Sequence, residues 1–370
     1  MSEVVRAALA TVVDGGTLTM AQAHGAMSAV MDGEATSSQL AALLVALRMR
    51  GETVEELAGF ASAMRERVLH VDAPAATVDT CGTGGDRSGT FNISTAAALV
   101  VAAARVPVAK HGNRAVTSRS GSADVLEVLG IRTDHDAVSA AEALRTDGFA
   151  FLFAPGFHPA MKHAGPTRRE IGVRTAFNLI GPLTNPAGAR RQVVGVADPV
   201  AAPRLAEVLA LLGVERALVV HGDGLDELPL DGTGVMYDVT PAGIERRTVA
   251  AVDLGLIPAA TAALAGGTPQ ENATIVEGIL GGEHGPRRDV VLLNAAAGLV
   301  AAGRAISLAE GIATAASVID GGAAAALLGR LRAARAAATE RPAAPVPLAA
   351  GTGGSQADAA TAPERGPVSA

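Results

Sequence analysis

The sequence predicts an α/β protein: a small all-helical N-terminal domain, residues 1–72, then a larger α/β domain, residues 73–335, with a mainly parallel sheet flanked by helices. Three observations predict it. Up to about residue 69, apolar residues recur at helical spacing and polar caps separate the runs. From Val78 onward, short apolar runs alternate with Ala/Leu-rich helical stretches, the pattern of strand–helix–strand units. From about residue 336 the chain turns to Ala, Pro, Gly, Thr and Ser with scattered charge, which predicts a disordered tail over residues 336–370.

Each element has a local reason. Val4, Val5, Ala8, Leu9 and Val12 give the first helix its apolar stripe. Thr19, with Gln22 three residues on, caps the second. Ser37 or Ser38 opens the third, which runs through Leu40, Leu43, Leu44 and Leu47. Thr53 opens the fourth, which ends near Val68. Strands are expected over 77–80, 106–109, 151–153, 193–196, 216–220 and 234–239. Helices are expected over 94–104, 123–129, 137–146, 200–212, 268–280, 287–302 and 307–321. In such sheets ligands bind beyond the carboxyl ends of the strands.

Composition narrows the function. Hydrophobic residues make up 49% of the 370, enough for a large core. Aromatic residues are only 2% and the net charge is −7. A nucleic-acid partner would want a basic groove and stacking platforms, so none is expected. Any phosphate site must be local. The single cysteine, Cys81, allows neither an intramolecular disulfide nor a Cys-based zinc site, and reads as a small packing residue rather than a nucleophile. The longest apolar run, 96–104, is far short of the roughly 20 residues of a membrane span. A cytoplasmic protein with no membrane partner is expected.

Four polar blocks carry the chemistry. The first is Asp79-Thr80-Cys81-Gly82-Thr83-Gly84-Gly85-Asp86 at the end of a strand. Its glycines let bare N–H groups approach a phosphorylated ligand, while its acids would repel phosphate unless a cation or sugar hydroxyls intervene. It has neither the dinucleotide spacing nor the Lys-Ser/Thr ending of a P-loop. Asn92-Ile93-Ser94-Thr95 follows at a helix N-terminus, a ready anion site. The second block, Lys110-His111-Gly112-Asn113-Arg114 with Ser118 to Ser122 beyond it, can hold phosphate oxygens at a strand end. The third runs from His158 through Arg168 and Arg174 to Pro186. Arg168 is either a carboxylate-binding residue or half of a surface pair with Glu170. The fourth, His221 to Glu227, ends in the adjacent acids Asp226 and Glu227, suited to Mg²⁺.

Together these blocks resemble the anthranilate phosphoribosyltransferase family from about Val4 to Arg335, most specifically in the run Gly181-Pro182-Leu183-Thr184-Asn185-Pro186. The resemblance implies transfer of the 5-phosphoribosyl group of 5-phosphoribosyl 1-diphosphate (PRPP) to the amine of anthranilate in tryptophan biosynthesis, with two Mg²⁺ per active site and no dedicated acid–base residue. It implies PRPP contacts at Gly82, Gly85, Asp86, Thr90, Asn92, Ile93, Ser94 and Thr95. It also implies a loop over PRPP made of Lys110, His111, Gly112, Asn113, Arg114, Ala115, Val116, Thr117 and Ser118, with Ser122. Gly82, Asn113 and Arg168, with His111 nearby, would contact anthranilate; Ser94, Asp226 and Glu227 would hold the metals. A homodimer through the helical domain, which also receives the segment near 174–190, is implied as well. This sequence departs from the family in Gly165-Pro166-Thr167 before Arg168 and in Thr117, where Ser is commoner. A pyrimidine nucleoside phosphorylase would share the glycine loop but should carry a further C-terminal α/β domain, which the stretch after 336 does not resemble.

Overall fold

The computed structural model describes residues 1–115 and 119–340. The expected contacts at Val116, Thr117 and Ser118, and the expected tail from 341 to 370, lie outside the described residues.

Four helices open the chain: α1 (Glu3–Val13), α2 (Met20–Met31), α3 (Ser37–Arg50) and α4 (Val54–Arg65). Thr19 with Gln22, Thr36 with Gln39, and Thr53 with Glu56 form capping boxes at the last three. The cap of α3 is thus Thr36 rather than Ser37 or Ser38, because its hydroxyl accepts the Gln39 amide while Gln39 reaches back. Helix α4 ends at Arg65, short of Val68.

The larger unit begins with β1 (Val78–Gly82), α5 (Ile93–Ala103), β2 (Val108–Gly112), α6 (Ser122–Val128), α7 (Ala137–Thr146) and β3 (Phe149–Phe153). Three short helices, α8 (Ala154–Phe157), α9 (Gly165–Ile171) and α10 (Ala176–Ile180), occupy the stretch before the next strand. Then come β4 (Arg191–Gly195), α11 (Ala201–Leu211), β5 (Arg216–His221), β6 (Gly234–Thr240) and β7 (Gly243–Val249). The chain closes with α12 (Pro269–Leu280), α13 (Pro286–Ala301), α14 (Leu308–Asp320) and α15 (Ala323–Glu340). Helix α15 corrects the expected tail boundary at 336: it runs on to Glu340, sustained by an Ala/Leu/Arg sequence of good helix formers.

The sheet order is β3-β2-β1-β4-β5-β6-β7. The first five strands are parallel, and β6 and β7 add antiparallel at one edge. Strand β7 escaped the sequence reading because all its residues but Val249 are exposed and the run 245–248 is polar. After β3 the chain returns to the other side of β1, which places the topological switch point between β1 and β4.

Two cores divide the sheet's faces. Leu218 and Val220 point to one, under α5, apolar all round as central helices are, and α13, buried throughout after its charged first turn. Ala217 and Val219 point to the other, which is continuous with the apolar interior of α1 to α4, α10 and α11. The helical unit therefore shares a core with the sheet. Among the described residues, no single helix is long and apolar enough to cross a membrane.

The helical unit hinges on a buried carboxylate. Glu56, wholly buried, accepts the N–H groups of Leu18 (2.9 Å) and Thr53 (2.8 Å) and pairs with Arg50. Removing it strands two amides and takes the carboxylate from the half-buried Arg50. Glu56→Ala is expected to cost about 3 kcal/mol and lower the thermal midpoint by roughly 5 °C or more. An unchanged midpoint in differential scanning calorimetry would refute this role.

Candidate active site

The carboxyl ends of β1 and β4 are both glycine, and the loop after β5 fills the space their missing side chains leave. A Cβ at Gly82 would lie 2.7 Å from Asp226 Oδ2, and one at Gly195 would overlap the Asp226 carbonyl. Asp226 Oδ2 accepts the Gly84 N–H at 3.0 Å, tying the acidic loop to the glycine loop. In that loop Gly84 and Gly85 have φ of +61° and +78°, values that favour glycine. Asp86 accepts from Ser88 Oγ at 2.6 Å, and Ser88 Oγ meets Thr90 Oγ1 at 3.1 Å. The other acid of the motif, Asp79, is buried within β1, where it accepts the His111 N–H at 3.2 Å. It belongs to the scaffold, not to the ligand face.

Charge is concentrated beneath this turn. Burial, then repulsion from Asp86, raises the Asp226 carboxyl to about 6. Burial and Asp226 push Glu227 well above its ordinary value, opposed by Lys110 and by the Ser94 amide. Lys110 lies on β2, 2% exposed, donating to the Thr80 carbonyl and, at 3.4 Å, to Ser94 Oγ. Burial lowers its pKa, while Asp79, Glu227 and Asp226 hold it up. Lys110 is therefore the buried floor of the site rather than part of a solvent loop.

The N-terminus of α5 opens onto the same place. Ile93 and Thr95 are buried, so their side chains serve the core and only backbone is offered. Asn92 occupies the N-cap position without a side-chain cap bond. It spends its amide instead on the Ser120 carbonyl (3.2 Å) and accepts from Asn272 (2.9 Å).

The loop after Gly112 is held on α6. Ser122 Oγ and the Ala123 N–H donate to the Asn113 carbonyl, and Asp124 accepts the Ala115 and Gly121 amides, both at 2.9 Å. The Arg114 guanidinium pairs with Asp124 and Glu127 and stacks 5.7 Å from the Phe153 ring. It is thereby directed toward α6, away from the free phosphate-binding role expected of it. His111 is buried with its Nε2 3.2 Å from His158 Nε2. Burial lowers His111 to about 3 and His158 to about 4, so both are neutral at pH 7 and one ring donates to the other.

Arg168 stands differently. It is half-buried on α9, its guanidinium 4.7 Å from the Phe177 ring centre. Burial lowers its pKa, and among the described residues no carboxylate pairs with it. The alternative pairing with Glu170 does not occur. Between the helical unit and the glycine loop lies a cavity of about 500 Å³, lined in part by Arg48, Glu52, Arg174, Asp198 and Arg204. The sequence assigns no role to Ser88, Asp124 or Arg174, although Arg174 lies in the third polar block. Gly121-x-x-Asp124 gives only half of a capping box, since glycine has no side chain and only the Asp124 carboxylate reaches back to the Gly121 N–H.

Cys81 is inert by geometry. Its buried Sγ lies 3.8 Å from the Pro182 and Val193 carbonyls, and burial with Asp79 nearby raises the thiol well above its ordinary value.

A folded-state value near 6 for Asp226, against an ordinary 3.8, has a sign. Between these values the folded chain binds more protons than the unfolded one. The contribution of Asp226 to stability is thus fully present below about 3.8 and is lost as pH rises through 6. Asp226→Asn removes that share of the loss while its amide oxygen can still accept from Gly84. In metal-free buffer at pH 7.5 the variant should melt roughly 2–4 °C higher. A lower midpoint would contradict the buried-charge account.

Comparison with known proteins agrees with this architecture. The helical bundle domain of a glycosyl transferase family matches residues 6–68, and the a/b domain of that family matches residues 74–325. Anthranilate phosphoribosyltransferase of Pelotomaculum thermopropionicum is 53% identical over 329 residues, spanning 88% of this chain and 95% of that one. The crystal structure of the Thermus thermophilus enzyme of that name superposes with a TM-score of 0.84 at 46% identity, covering 89% of this chain and 99% of that one. The Saccharomyces cerevisiae enzyme in complex with PRPP and Mg gives a TM-score of 0.83 at 27% identity, covering 91% and 99%. With both family domains in order and about half of its residues shared with the bacterial relatives, the chain belongs to the anthranilate phosphoribosyltransferase family.

Proposed function

We propose that the chain transfers the 5-phosphoribosyl group of PRPP to the amine of anthranilate, giving N-(5-phosphoribosyl)anthranilate and pyrophosphate, in tryptophan biosynthesis. The amine lone pair forms the new bond to the anomeric carbon as the bond from that carbon to pyrophosphate breaks. The proton released from nitrogen goes to solvent. The observation that carries the reading is the convergence at one switch point of a glycine loop, a helix N-terminus and a buried acid pair.

The residues divide the work. Gly82, Gly85, Asp86, Thr90 and 92–95 are proposed to hold PRPP through backbone N–H groups and short hydroxyls, with Lys110 beneath and Gly112, Asn113, Ala115 and Ser122 beside them, while Arg114 stays on Asp124 and Glu127. The α5 N-terminus favours the phosphate charge. Among the described residues, no three His, Cys, Asp or Glu side chains converge on a metal position. Asp226, Glu227 and the Ser94 hydroxyl are hard oxygen donors, and the two carboxylates repel each other until a cation relieves them. That set fits Mg²⁺ held by a few protein oxygens plus water and substrate phosphate, and two ions per site are proposed. Mg²⁺ would supply charge neutralisation to the departing pyrophosphate. Anthranilate's arylamine is neutral at pH 7, so positioning serves in place of a base. Arg168, a half-buried guanidinium without a carboxylate of its own, is proposed to take the substrate carboxylate, with Gly82 and Asn113 beside it. Because a multiply charged diphosphate does not cross a bilayer unaided, the cytoplasm is the proposed location. A homodimer is proposed through the helical unit, where Val4, Val13, Val45 and Met49 are exposed on the neighbouring helices α1 and α3.

Mixing the protein with PRPP, Mg²⁺ and anthranilate should quench anthranilate fluorescence, and no PRPP-dependent loss would sink the proposal. Arg168→Ala should raise the KM for anthranilate roughly 10- to 100-fold and that for PRPP far less; the reverse split would reassign Arg168. The double variant Val45→Asp, Met49→Asp should halve the mass seen by light scattering if α1 and α3 form the dimer face.

A further inference from the structure

Arg174 is not among the substrate contacts proposed above, yet it grips the glycine loop. From the segment between α9 and α10, its Nη1 donates to the Gly84 carbonyl at 2.6 Å and its Nη2 to the Thr83 carbonyl at 3.0 Å. In a trans peptide the N–H points opposite to the C=O. The Thr83–Gly84 peptide is therefore held from both sides: its oxygen by Arg174, its N–H by Asp226 at 3.0 Å. The Gly84–Gly85 peptide is held on its oxygen alone. Its N–H points away from Arg174, and among the described residues no acceptor takes it. A Cβ at Gly85 would overlap Arg174 Nη1, so glycine there makes room for the guanidinium as well as adopting φ +78°.

The other end of Arg174 belongs to the helical unit. It immediately precedes Thr175, the N-cap of α10, and α10 packs on α3 and α4. One side chain thus links the position of the helical bundle to the orientation of two peptides in the PRPP-facing loop.

We propose that Arg174 is a positioning residue that clamps the Thr83 and Gly84 carbonyls, so that the Gly85 N–H faces the diphosphate and Asp226 is held for its metal. This rests on the function proposed above. The forked, planar donor set is essential to it, because one ammonium does not reproduce two fixed N–H directions.

The test compares wild type, Arg174→Ala and Arg174→Lys. Both variants should raise the KM for PRPP roughly tenfold, leave the KM for anthranilate within about twofold, and melt within a few degrees of wild type. Full rescue by lysine, or an equal rise in both KM values, would overturn the clamp, since a bare charge or a general loss of structure would explain either. Amide hydrogen exchange in the substrate-free protein gives a second reading. The hydrogen-bonded Thr83 and Gly84 amides should exchange roughly tenfold faster in Arg174→Ala, and unchanged exchange would also overturn it. Should wild type not turn over PRPP while exchange still responds, the function fails and the clamp stands. In a double-mutant cycle, Gly85→Ala should cost less when Arg174 is already alanine; strict additivity would count against the clash.

Discussion

The organisation of this molecule depends on placing two neighbouring carboxylates, Asp226 and Glu227, at the one point where a parallel sheet reverses its winding. Buried like charges are costly, and Lys110 beneath them answers only part of the cost. Their arrival requires glycine at the ends of both β1 and β4, because any side chain there would occupy the space of Asp226. The same pair of glycines shortens the route from the acids to the glycine loop, so that one hydrogen bond, Gly84 to Asp226, joins the two. The acid pair and the glycine loop are thereby held as one unit.

The helical unit is more than a support. Its interior is continuous, through α10 and α11, with the core on one face of the sheet, so it cannot be removed without exposing apolar residues of α11. It reaches the site through two short helices rather than through its bundle: α9 presents Arg168, and the segment before α10 presents Arg174. Both are arginines that meet no carboxylate among the described residues. One guanidinium stacks on a ring and the other holds backbone carbonyls.

Much of this was legible in the sequence, and what was not has identifiable causes. The α/β alternation, the capping boxes at Thr19 and Thr53 and the acids at 226 and 227 all follow from local pattern. Strand β7 was hidden because an exposed edge strand lacks the apolar alternation that marks a half-buried one. Helix α15 was missed because its Ala-rich sequence blends into the tail composition. Arg114 and Lys110 read alike as basic residues at a strand end, yet Lys110 is buried under the loop and Arg114 is committed to Asp124 and Glu127 on α6. Which partner a long cation chooses depends on tertiary placement, as does the gap at Gly85 that admits Arg174.

The burial of Cys81 has its own consequence. The chain's one sulfhydryl lies sealed against Pro182 and Val193, with ionisation suppressed. Oxidants and electrophiles meet no thiolate on this protein. Its catalytic output is in that respect decoupled from the redox state of its surroundings, and alkylating reagents directed at thiols should find it silent.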